Sequence, residues 1–72
     1  MNSERIIKIV MMDLASDQMK LEEELEKTIN SDLEINTKVM TIKSLLSRMT
    51  AIDASITKFT SMTTNNNNNN PN

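Results

Sequence analysis

The side chains of this chain that could do chemistry are carboxylates, amines and hydroxyls. Among 72 residues there are ten Asp or Glu and eight Lys or Arg, with no His and no Cys. The densest acidic group is Glu22, Glu23, Glu24 and Glu26. On a helix these four point around the axis instead of converging, which makes a solvated face and not an acid–base pair. Hydroxyls are plentiful between Ser31 and Met62, but a nucleophilic hydroxyl needs a positioned base beside it. With neither His nor Cys, the common zinc, copper and iron ligand sets are missing. With no Gly, neither a phosphate-cradling loop nor an EF-hand calcium loop can be built. Composition therefore points away from an enzyme, a metal or any other cofactor, and toward a function carried by surfaces.

Charge and length narrow this further. The net charge is −2, and no basic stripe of the kind that binds nucleic acid is present. The N-terminal half is the more acidic; the half from residue 30 onward is nearly neutral. The most apolar run, Ile6 to Ala15, is interrupted by Lys8 and Asp13. It is about half of the roughly 20 residues a membrane span requires. A membrane-surface helix would need a Lys/Arg-rich polar face that this run lacks. The expectation is a cytoplasmic protein with no transmembrane segment and no nucleic-acid partner. A chain this short buries little core and normally leans on disulfides, metals or partners. The first two are excluded by composition, so partners remain.

The elements that would position such a surface are helical. Residues 4–62 contain no Gly and no Pro, the residues that usually mark turns. Glu4–Lys8, Glu23–Lys27 and Glu34–Lys38 are acid-before-base pairs four residues apart, the favourable order on a helix. Stepping by seven from Ile7 meets Leu14, Leu21, Thr28, Ile35, Ile42, Met49 and Ile56. All but Thr28 are apolar, and strict recurrence at seven is the coiled-coil signature. In the C-terminal half the companion positions lie three residues on, at Leu45, Ile52 and Phe59. In the N-terminal half they lie four on, at Met11 and Leu25, with Gln18 breaking the series.

The spacing changes between Thr28 and Ile35, where Leu21, Leu25, Ile29 and Leu33 recur every four residues. Two conformations fit. A stutter would unwind a coiled coil locally while one helix continues. Alternatively, Asn30 ends one helix and Ser31 with Glu34 forms a capping box that opens another, giving a hairpin bent at residues 30–32. Capping boxes of this loose form arise often by chance, and Thr50 with Asp53 matches it too, so a single long helix, bent or stuttered, is the favoured reading. The expected fold is all-α: a coiled-coil helical region over 4–62, then a disordered tail over 63–72 containing Asn65–Asn70, which has no apolar surface to bury.

The apolar face is wider than a two-stranded seam needs. Doublets recur at Ile6–Ile7, Met11–Met12, Val39–Met40 and Leu45–Leu46, and neighbours lie about 100° apart on a helix. Seven methionines suit irregular packing. The partner-binding residues expected from the pattern are Ile7, Leu14, Leu21, Ile35, Ile42, Leu45, Met49, Ile52, Ile56 and Phe59. Their partners would be coiled-coil helices of other proteins. A homo-oligomeric scaffold, or a regulator that captures another protein's coiled coil, is the alternative.

Residues 39–59, with Val39, Ile42, Leu45, Leu46, Met49, Ile52, Ile56 and Phe59 in heptad spacing, resemble the C-terminal helices of small snapin-like subunits of the BLOC-1 and BORC complexes. That resemblance covers about a third of the chain. It implies a non-enzymatic, nearly all-helical adaptor working in endosome–lysosome trafficking.

Overall fold

A chain whose apolar residues recur every three and four positions must place that stripe against another helix, and this chain uses its own. The computed structural model describes residues 3–68, with side chains through Thr64. It contains two helices, α1 (Ser3–Ile29) and α2 (Ile35–Asn68), joined by residues 30–34. They fold back on each other as an antiparallel hairpin. Gln18 of α1 accordingly hydrogen-bonds Asp53 of α2, 35 positions away.

The turn explains why one continuous helix does not form. At the end of α1 the Asn30 side-chain amide donates to the Glu26 carbonyl at 3.0 Å, and the Ser31 hydroxyl donates to the Thr28 carbonyl at 2.7 Å. The Ser31 hydroxyl also accepts the Leu33 amide at 3.3 Å. The first two bonds go to carbonyls of the last turn of α1, and the third satisfies an amide of the connection. The Lys38 ammonium reaches back from α2 and donates to the carbonyls of Ile29 at 3.1 Å and Ser31 at 2.8 Å. A cation there also meets the negative end of the α1 dipole.

The start of α2 differs from the capping box read from Ser31 and Glu34. Ser31 closes α1. Glu34 is itself the N-cap: its carbonyl accepts the Lys38 amide at 2.9 Å, and its carboxylate accepts the Thr37 amide at 3.2 Å. The turn is thus made by polar side chains. Among the described residues no backbone φ is positive, so the turn requires no glycine.

α2 continues beyond the boundary expected at residue 62. The Thr63 hydroxyl donates to the carbonyls of Phe59 at 3.0 Å and Thr60 at 3.1 Å, and the helix extends to Asn68. Extending an existing helix costs far less than starting one, and no Pro occurs before Pro71. The rest of the expected disordered tail, residues 69–72, lies outside the described residues.

Two helices make a thin core. Among the described residues only Leu21 and Leu45 are buried apolar side chains, at 7% and 3% exposure. The chain exposes 5791 Å², against roughly 4,500 Å² for a compact monomer of its mass.

Candidate interaction surface

The seam comes first, because it uses most of the apolar residues. On α1 the partly or fully buried positions are Ile7, Val10, Met11, Leu14, Gln18, Leu21, Leu25 and Thr28. On α2 they are Lys38, Thr41, Ile42, Leu45, Met49, Ile52, Ile56, Phe59 and Thr63. Both series step by three and four, as facing helices require. Ile7 borders the same surface groove as Thr63, Leu14 the same one as Phe59, and Leu21 the same one as Ile52. The register is therefore antiparallel along the whole length.

Nine of the ten residues expected to bind partners lie in this seam. Their buried surface packs against the other helix of the same chain. Ile35 does not join them. It opens α2, points away from the seam and is 70% exposed. The seven-residue step from Thr28 to Ile35 crosses the turn, so it no longer marks a common face.

Gln18 occupies an apolar layer. Its side-chain amide nitrogen donates to the Asp53 carboxylate, while its amide oxygen is buried without a partner among the described residues. A half-satisfied polar group in a seam costs stability and penalises misaligned packing.

One group of uncovered apolar residues starts at the turn and runs along α2. Ile29, Leu33, Ile35, Val39 and Leu46 are all exposed. On α2, Ile35, Val39, the half-buried Ile42 and Leu46 recur at steps of four, three and four. That spacing is a ridge running beside the seam. The doublets Val39–Met40 and Leu45–Leu46 carried this signal in the sequence, since adjacent apolar residues cannot all face one seam. Ile29 and Leu33 were legible only as part of the four-residue recurrence near the turn.

A depression of about 660 Å³ lies between the helices and is lined by Asp17, Lys20, Leu21, Glu24, Arg48, Ala51 and Ile52. Its four charged side chains are all exposed, so solvent screens them. Among the described residues no cluster of three metal-ligating side chains occurs. No described helix is long and apolar enough to cross a membrane. Set against known proteins, the chain matches no family model, no curated protein and no solved structure.

Proposed function

We propose that this chain is a non-enzymatic helical-hairpin subunit of a hetero-oligomeric protein assembly. The observation behind this reading is the uncovered apolar patch beside the turn, formed by Ile29, Leu33, Ile35, Val39 and Leu46. Solvent-exposed apolar residues gathered in one place mark protein-contact surfaces. The ridge spacing of Ile35, Val39, Ile42 and Leu46 suits the apolar stripe of another helix, so the partner is an amphipathic helix of a second protein. The same segment carries the resemblance to snapin-like subunits, which would place such an assembly in endosome–lysosome trafficking.

The test compares affinity purification of the tagged chain with that of the Val39→Asp, Leu46→Asp double variant. Both positions are exposed, so circular dichroism should show unchanged helicity. Loss of specifically retained helical partners from the double variant, with retention by a Met12→Asp control, supports the reading. Equal retention by all three overturns it.

A further inference from the structure

The outer side of α1, turned away from α2, carries a second heptad series that the hairpin does not use. Arg5, Ile9, Met12, Ser16, Met19 and Glu23 follow one another at alternating steps of four and three, and all six are exposed. Ile9 is 52%, Met12 68% and Met19 63% exposed. Three of the six, Ile9, Met12 and Met19, are apolar, and exposed apolar residues at this spacing suit a helix–helix contact.

Charge along this face selects the occupant. Arg5 and Lys8 stand at its beginning, where they also border the groove shared with Thr63 of α2, and Glu22 and Glu23 stand at its end. Against a second copy in parallel, like charges would meet at both ends. Against a second copy in antiparallel alignment, both end layers are complementary, at the cost of Asp13 standing beside Asp13 of the second copy near the two-fold axis. Arg5 falls opposite Glu23 of the second copy, Ile9 opposite Met19, and Met12 opposite the small Ser16, while Lys8 comes beside Glu22. Each layer is repeated by the two-fold axis, as a closed homodimer requires.

We propose that α1 pairs antiparallel with α1 of a second copy, joining two hairpins into a homodimer. The surface is distinct from the patch at the turn and does not depend on the hetero-oligomeric reading.

Sedimentation equilibrium of the full chain over a concentration series tests this. The expected mass is twice 8.2 kDa. Met12→Asp or Met19→Asp should weaken dimerisation about tenfold or more, because each places a carboxylate inside the contact, with helicity unchanged. The sharper test swaps charge. An Arg5→Glu, Lys8→Glu variant and a Glu22→Lys, Glu23→Lys variant should each lose self-association. Mixed together they should form a heterodimer, since opposite charges meet at both ends again. A monomer at every concentration overturns the proposal. So does a dimer that survives Met12→Asp but is lost on Val39→Asp, Leu46→Asp, and so do charge-swapped variants that dimerise alone as well as the wild type.

Discussion

At the scale of single residues, the turn depends on two side chains that the sequence spaces as partners of each other. Glu34 and Lys38 are four apart and read as an ion pair. Instead Glu34 caps α2 through the Thr37 amide, and Lys38 caps α1 through the Ile29 and Ser31 carbonyls. Glu34→Ala should lower stability by about 0.5–2 kcal/mol, the usual cost of losing an N-cap, and Glu34→Asp should restore most of it. Lys38→Met should cost about 0.3–1 kcal/mol through the lost cation at the helix end. Urea denaturation of the three variants, compared at matched protein concentration, measures both.

Also at this scale, Gln18 is a deliberate imperfection. Gln18→Leu removes the stranded amide oxygen and fills the layer with an apolar side chain. It should raise stability by about 1 kcal/mol. Asp53 then loses its donor, but it is exposed and water replaces the bond. An unchanged or lowered denaturation midpoint would show that the Gln18–Asp53 bond outweighs the orphaned oxygen.

At the scale of elements, the seam was legible and its owner was not. Ile7, Leu14 and Leu21 on one side and Ile42, Leu45, Met49, Ile52, Ile56 and Phe59 on the other follow the heptad directly. A heptad specifies that a stripe is buried, but not whether a partner chain or the same chain buries it. The lack of Gly and Pro argued for one helix because those residues so often make turns. Here Asn30, Ser31 and Glu34 supply the bonds, and no backbone angle demands glycine. The true sign of reversal was the change of companion spacing between residues 28 and 35, where the phase of one helix ends and that of another begins. The exposed patch was less legible because Val39 and Leu46 sit one position outside the expected stripe. The element-level prediction concerns Leu45, the most buried side chain among the described residues. Leu45→Ala should cost about 2–5 kcal/mol, a large share of what so thin a core can supply. Thermal unfolding followed by circular dichroism should show a broad transition shifted well below that of the wild type.

At the scale of the whole molecule, the hairpin is a narrow rod of 57 × 19 × 11 Å with a radius of gyration of 16.9 Å. A compact chain of this length would have a radius near 11 Å. Most of its surface therefore lies on long helical flanks, which suits a module that binds side-on. The two candidate surfaces divide that rod. The patch beside the turn lies at one pole, and the outer stripe of α1 begins near the other.

The antiparallel register also fixes how the molecule bears load. Ile7 and Thr63 lie side by side at the pole opposite the turn, so the two strands of the hairpin are held at the same end. A pull applied there peels the helices apart layer by layer, starting with Ile7 and Thr63 and reaching Leu21 and Leu45 only later. A parallel pair held at opposite ends would have to slide all of its layers at once. This hairpin should therefore open as a zipper does, at low force and in small reversible steps, with the turn as the last point to give way.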